Sequence, residues 1–285
     1  MKPTTTNRPR PDSYRARFGL SHHPLPRDAA GPSYFPLTPG FSQLESHFHD
    51  LLEEPGLGLL TADAGVGKTA AMRHICSQLP TPDYLVVYLC DTAGSPCDFY
   101  RSLALELGLP TSIRKSQLWA DIKAALANLL DEQHTTPVIV VDEAQHLSDR
   151  FLSDLAGFLN FAFDRRSLAA LWLVGLPAFA RRLRLQLHAP LNTRVVAHVQ
   201  LLPLERDAFR ALVEHAIRAA GSKEKLLSDS ALELLFRSSR GVPRIASRVL
   251  RASLKKAHAN NQNLVDDHVL RAAIEELAPP DEAAQ

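Results

Sequence analysis

The chain has 285 residues, 45% hydrophobic and 22% charged, with 32 Lys and Arg against 31 Asp and Glu and a formal net charge of +1. This composition excludes a disordered chain, collagen and a coiled coil, and at this length a full core can be buried in one large domain or two unequal ones. Near-neutral charge gives no global field that would draw the molecule to nucleic acid, so any such contact must come from local patches. The cysteines Cys76, Cys90 and Cys97 form neither an even set nor a C-x-x-C pair, which points to a reducing compartment and away from a disulfide framework or zinc site. The longest uncharged apolar run, Leu168 to Ala180, contains Gly and Pro and is shorter than the roughly 18 residues a bilayer span requires. The N-terminal MKPTTTNRPRPDSYRARFG lacks the apolar segment of a signal peptide. A cytoplasmic location with no membrane partner is expected.

Residues 1–37 read as an extended Pro/Arg-rich arm. Lys2, Arg8, Arg10, Arg15 and Arg17 are opposed there by Asp12 alone within the first 17 residues, and nine of the 20 prolines lie in residues 1–55. Such a segment is either a solvated tail or an arm for DNA or another partner. From 38 to 202 the pattern alternates. A helix over Thr38 to Glu54, with Pro39 in its first turn, precedes a short strand at Leu57 to Thr61 and a helix at Lys68 to Leu79. A strand at Tyr84 to Cys90 leads to a helix ending at Gly108, and a further helix covers Lys115 to Gln133. Pro137 to Val141 is a β-branched run of the kind buried on both faces of a parallel sheet. Ser148 can cap a helix over Asp149 to Phe163; a strand at Ala169 to Val174, a basic helix at Pro177 to Gln186 and a strand at Val196 to Leu201 follow. Five strands alternating with helices imply a doubly wound α/β layer with a five-stranded parallel sheet flanked by helices. Beyond Leu202 only helical patterns remain, at Glu205 to Ala220, Ser228 to Ser238, Pro243 to Ala259 and Val265 to Leu277. They imply a small all-α domain over 203–278, followed by a polar tail over 279–285.

Ala62-Asp63-Ala64-Gly65-Val66-Gly67-Lys68-Thr69, running into Ala70, is a phosphate loop of the G/A-x-x-x-x-G-K-T form between a strand and a helix. Glycines let backbone N–H groups turn toward phosphate oxygens, and the helix that follows points its positive end at them. Lys68 suits the β and γ phosphates and Thr69 a Mg²⁺ ion, so ATP and Mg²⁺ are the expected cofactors. Ala62 replaces the more usual Gly and fits if its φ is negative. The second signal is Val138-Ile139-Val140-Val141-Asp142-Glu143, which delivers two carboxylates at a strand's C-terminal end, where α/β sheets bind ligands. Asp142 suits the Mg²⁺ shell and Glu143 the activation of water for hydrolysis.

The order of phosphate loop, strand, Asp-Glu strand, further strand and helical lid resembles an AAA+ ATPase. YRARFGLSHHPLP, SPCDFYRSLALELGLP, VIVVDEAQHL, LWLVGLPAF, LNTRVVAHVQLLPL and RGVPRIASRVL, spread over about residues 14 to 275, resemble the ExeA-like, TniB-like and TnsC-like group. The resemblance implies that Arg194 is an arginine finger acting in trans on a neighbour's γ-phosphate, with Arg181, Arg182 and Arg184 as rivals. It also implies that Arg244 is the lid arginine that touches the nucleotide of its own subunit. Guanidinium groups suit both roles because they stabilise transferring phosphoryl charge. Relatives place a polar residue at the end of the fourth strand, where this chain has Leu176, so slow or stimulated hydrolysis is expected. By resemblance the protein is a transposition helper that forms a homo-oligomer, ring or filament, on duplex DNA without sequence specificity and serves a transposase. The alternatives are a secretion-type accessory ATPase without DNA binding, or a nucleotide-gated adaptor with negligible turnover. Arg244, Arg248, Arg251 and Lys255 share one helix face, either a phosphate-tracking stripe or a solvated face; the cluster Arg165, Arg166, Arg181, Arg182 and Arg184 has the same two readings. His22, His23, His47 and His49 lack metal-ligand spacing.

Overall fold

The computed structural model describes residues 13–26, 38–90, 94–161 and 166–277. Most of the N-terminal arm, Arg165, the expected helix end at Phe163 and the tail lie outside the described residues. The chain divides into two compact units. One is built from 40–64 and 71–202, and the other from 65–70 and 203 onward together with the residues before Gly40.

The first unit is α/β. Its strands are β1 (Leu57–Thr61), β2 (Tyr84–Leu89), β3 (Thr136–Val141), β4 (Ala170–Gly175) and β5 (Val195–Gln200). They form one parallel sheet in the order β2-β3-β4-β1-β5. The continuous apolar runs occupy its centre, where β1 and β4 are buried at every residue and β3 at all but its first. The edge strands β2 and β5 alternate buried with exposed residues, because only one of their faces is fully covered. Side-chain parity separates the two faces. Leu59, Val87, Ile139 and Leu171 join the core of α4 (Pro96–Glu106), α5 (Lys115–Asp131) and α6 (Asp149–Phe158). Val138, Val140 and Trp172, of opposite parity, are buried as well. On their side lies α2 (Phe41–Glu53), whose Phe48 stacks on Trp172 with centroids 5.9 Å apart. Burial of Phe41, Leu44, Phe48, Leu51 and Leu52 along one stripe of α2 contributes roughly 1.5–3 kcal/mol per side chain. Gly58 makes the indole's position possible, since a Cβ there would lie 2.6 Å from the Trp172 ring.

Three helix boundaries differ from the sequence reading by three residues or more. α2 begins at Phe41 because Gly40 is its N-cap, in the left-handed region at φ 90°, which leaves Pro39 outside the helix. Ser148 does cap α6, accepting a hydrogen bond from the Phe151 N–H at 3.2 Å, but the helix stops at Phe158. α7 spans only Pro177–Leu183. The chain then turns through Leu185 to bury His188, whose Nε2 lies 2.9 Å from Asp149 Oδ1, and α8 (Ala189–Asn192) follows.

The second unit packs α9 (Arg206–Ala219), α10 (Asp229–Ser239), α11 (Pro243–Ala259) and α12 (Asp267–Leu277) around Phe209, Leu235, Leu250, Leu254 and Leu270. The described part of the N-terminal arm belongs to this core and is not an extended tail. Ser13 caps a one-turn helix, α1 (Tyr14–Arg17), and Phe18 and Leu20 are buried in the helical cluster. The Ser21 N–H donates to Ala220 O at 2.7 Å, and Arg17 Nε donates to Gln262 O at 3.0 Å. His23 Nε2 lies 3.1 Å from both the carbonyl oxygen and Oγ of Ser247, whose hydroxyl donates to Leu25 O at 2.9 Å. Apolar side chains in the segment FGL are what turn a basic arm into a docked one. No helix among the described residues is long and apolar enough to cross a membrane.

Candidate nucleotide site

Ala62 to Gly67 carry the chain from β1 into α3 (Lys68–Ser77). Gly65 and Gly67 have φ of 88° and 120°, where L side chains are strained, so both positions of the loop call for glycine. Ala62 is not among the positive-φ residues, which is why alanine is accommodated at the first position. It is fully buried, and its N–H donates to the Gly175 carbonyl at 3.2 Å. Lys68, the first residue of α3, is only 7% exposed. Arg244 opens α11 behind Pro243, and its backbone N–H donates to Gly65 O at 3.2 Å. A Cβ on Gly65 would fall 2.8 Å from the Arg244 Cβ, so the loop glycine and Arg244 are in direct contact.

The carboxylates follow β3. Asp142 is 2% exposed; its Oδ2 accepts from the Tyr88 hydroxyl at 2.9 Å and its Oδ1 from the Glu143 N–H at 2.8 Å. Burial, and then the Asp142 charge, push the Tyr88 phenol above the usual tyrosine range, so it remains a donor. Sequence reasoning missed Tyr88, although its register partner Val140 stands two residues before Asp142. Glu143 is exposed and sits at φ 52°, ψ 37°, a left-handed conformation costing a non-glycine residue roughly 1–2 kcal/mol. Strain of this kind collects at functional sites. Gln145, also missed, reaches back from the 3-10 turn Ala144–His146. Its Nε2 donates to Glu143 Oε2 at 2.5 Å, and its Oε1 accepts from the Leu176 N–H at 3.2 Å.

The hydroxyl of Thr69 and the buried carboxylate of Asp142 are hard oxygen donors of the kind Mg²⁺ takes together with phosphate oxygens and water. Among the described residues no group of three His, Cys, Asp or Glu side chains could hold a metal ion.

The arginines separate by geometry. Arg194 precedes β5, at the N-terminal end of a strand parallel to β1 and β3, whereas Asp142 and Glu143 follow the C-terminal end of β3. One six-residue strand at about 3.3 Å per residue puts ~20 Å between those two edges. Arg194 lines an open groove with His47, Asp50, Glu54, Arg166 and Thr193. Arg182 donates to the carbonyl oxygens of Gln145, at 3.1 Å, and Leu147, so its guanidinium is engaged within its own chain. Arg166 is held by both oxygens of Asp131, at 2.7 and 2.8 Å. Arg181 and Arg184 are exposed.

The strand order, the glycine loop after β1 and the Asp-Glu pair after β3 give the fold of an AAA+ P-loop domain, and residues 51–183 match a family model described as an AAA domain. The chain is similar to the General secretion pathway protein A of Aeromonas hydrophila, at 30% identity over 267 residues. That match takes in 92% of this chain and 48% of the relative, so the chain spans about half the length of the curated protein it matches. Two solved structures share the fold. The Drosophila ORC bound to DNA has a TM-score of 0.68 at 18% identity over 99% of this chain and 71% of that one. Cdc6p from Pyrobaculum aerophilum has a TM-score of 0.64 at 19% identity over 92% and 70%.

Proposed function

We propose that the chain binds ATP with Mg²⁺, hydrolyses it to ADP and phosphate at a site completed by a neighbouring copy, and in its ATP-bound oligomer lies on duplex DNA. There it recruits or activates a transposase, and hydrolysis resets the assembly. The observation that carries the shared site is the position of Arg194, ~20 Å along a strand from the edge that bears Asp142 and Glu143 of its own chain. An arginine so placed serves a second copy, and the engagement of Arg182 removes one rival.

Roles follow from residue chemistry. Lys68 and the N–H groups of the loop bind phosphate, while Thr69 and Asp142 would hold Mg²⁺, which neutralises phosphate charge when bound. Glu143 accepts a proton as the water oxygen attacks the γ-phosphorus, the bond to the β–γ bridging oxygen breaks, and ADP leaves. Arg244 and the neighbour's Arg194 stabilise the charge in transfer. For DNA the support is α11, where Arg248, Arg251 and Lys255 are exposed and make no ion pair among the described residues. Arg210, Lys225 and Arg237 of the same unit are all paired. An unneutralised row fits a phosphate backbone better than a balanced surface does. The transposase rests on the motif resemblance. A second reading, an accessory ATPase of a secretion system, has the similarity to the Aeromonas hydrophila protein in its favour.

Steady-state ATP turnover across protein concentration, with and without random duplex DNA, separates the readings. Turnover rising more than linearly with protein and stimulated by DNA is expected; turnover indifferent to DNA supports the secretion reading, and negligible turnover under all conditions supports a nucleotide-gated adaptor. Lys68→Ala loses ATP binding. Glu143→Gln binds ATP, stays assembled and keeps only a residual turnover. Arg194→Ala is inactive alone, yet rescues part of the turnover when mixed with Lys68→Ala.

A further inference from the structure

The end of β4 carries no polar side chain, since Leu176 follows Gly175 there. A polar group nevertheless stands at this place. The peptide unit joining Gly175 to Leu176 is bonded on both sides: its carbonyl accepts from the Ala62 N–H at 3.2 Å, and its N–H donates to Gln145 Oε1 at 3.2 Å. The same Gln145 amide donates from Nε2 to Glu143 Oε2 at 2.5 Å. One unbroken series of hydrogen bonds therefore runs from the first residue of the phosphate loop, through a single peptide plane, to the glutamate. Because β4 lies between β3 and β1, the series crosses the C-terminal edge of the sheet where the strands present their ends.

Two further observations show that the arrangement is built. A Cβ on Gly175 would stand 3.1 Å from Gln145 Oε1, so the glycine is what lets the amide approach the strand end. Arg182 donates to the backbone carbonyls of Gln145 and Leu147 and fixes the turn from which the amide projects.

We propose that Gln145 is the positioning residue of the hydrolytic step: its side-chain amide stands in for the polar side chain absent at Leu176 and aligns the Glu143 carboxylate with the phosphate loop. A carboxylate so tethered is oriented before the water arrives, and any movement of Ala62 on nucleotide binding reaches Glu143 through the Gly175–Leu176 peptide. Gln145 acts through Glu143. The assignment rests on the reading of Glu143 as the base.

The test compares kcat for ATP with the dissociation constant for ATP in the full-length wild-type, Glu143→Gln, Gln145→Leu and Glu143→Gln/Gln145→Leu proteins. Gln145→Leu is expected to lower kcat about tenfold or more while the dissociation constant changes less than twofold. In the Glu143→Gln background the same substitution is expected to change kcat no further, because a positioning residue has nothing left to position. Leu176→Asn, added to Gln145→Leu, is expected to restore part of kcat by supplying an amide from the strand side. Gly175→Ala, which displaces the amide without removing it, gives a second route to the same loss. Unchanged kcat in Gln145→Leu overturns the assignment, as does a loss matched by an equal loss of ATP affinity. Full turnover in Glu143→Gln overturns instead the role of Glu143 itself, so the two failures are distinguishable.

Discussion

His23 ties the N-terminal segment to α11, and its titration can be used to release it. The ring is 8% exposed, with Nε2 against Ser247 and Nδ1 buried without a hydrogen-bond partner among the described residues. Burial first, then the nearby Arg251, with smaller effects from His22 and Lys255, hold its pKa down to about 4 from the ordinary 6.5. Above pH 6.5 the imidazole is neutral whether the segment is docked or released, and docking is at full strength. As pH falls below 6.5 the released segment takes up a proton that the docked one refuses, so docking weakens progressively until pH reaches about 4. At pH 5 the released population should have risen about 30-fold, equivalent to at most about 2 kcal/mol. The Ser21 amide, which donates to Ala220 O at 2.7 Å, is the reporter. Its hydrogen exchange, corrected for the intrinsic pH dependence, should accelerate by about that factor between pH 7.5 and pH 5 in the wild-type protein. His23→Gln keeps a donor for Ser247 and cannot titrate, so its corrected exchange should stay flat. Equal pH dependence in the two proteins would refute the reasoning.

Three further outcomes follow from the packing and the site. Gly58→Val should drive a side chain into the Trp172 ring and lower stability by about 1–3 kcal/mol or more, measured as the urea midpoint. Tyr88→Phe removes a donor that orients Asp142; the Mg²⁺ concentration for half-maximal turnover should rise several-fold, with little change in melting temperature. Alkylation with iodoacetamide at pH 8 should label exposed Cys90 well before Cys76, whose thiol burial pushes up to about 12 and so keeps protonated.

Residues 57–61, 136–141 and 170–175 were legible as central strands because a strand buried on both faces has no polar position to spare, and that leaves a continuous apolar run in the sequence. The phosphate loop was legible for a similarly local reason, since Gly65 and Gly67 are demanded by the backbone itself. The Asp142-Glu143 pair could be placed at a strand end from spacing alone. What could not be read were relations between residues far apart in the chain. Gln145 gains its position only when β4 lies beside β3, Tyr88 meets Asp142 only through the register of β2 with β3, and Gly58 is required only because Trp172 comes from a strand more than a hundred residues later. The docking of Phe18 and Leu20 was not legible for the same reason. The arm's charges are local and visible, whereas the helices that bury Phe18 and Leu20 begin at Arg206. Local sequence determined which segments are strand, loop and helix, because backbone geometry and burial period act over a few residues. The tertiary structure alone decided which side chains hold the Asp142 and Glu143 carboxylates, because hydrogen bonds between strands depend on an order and a register that no single segment contains.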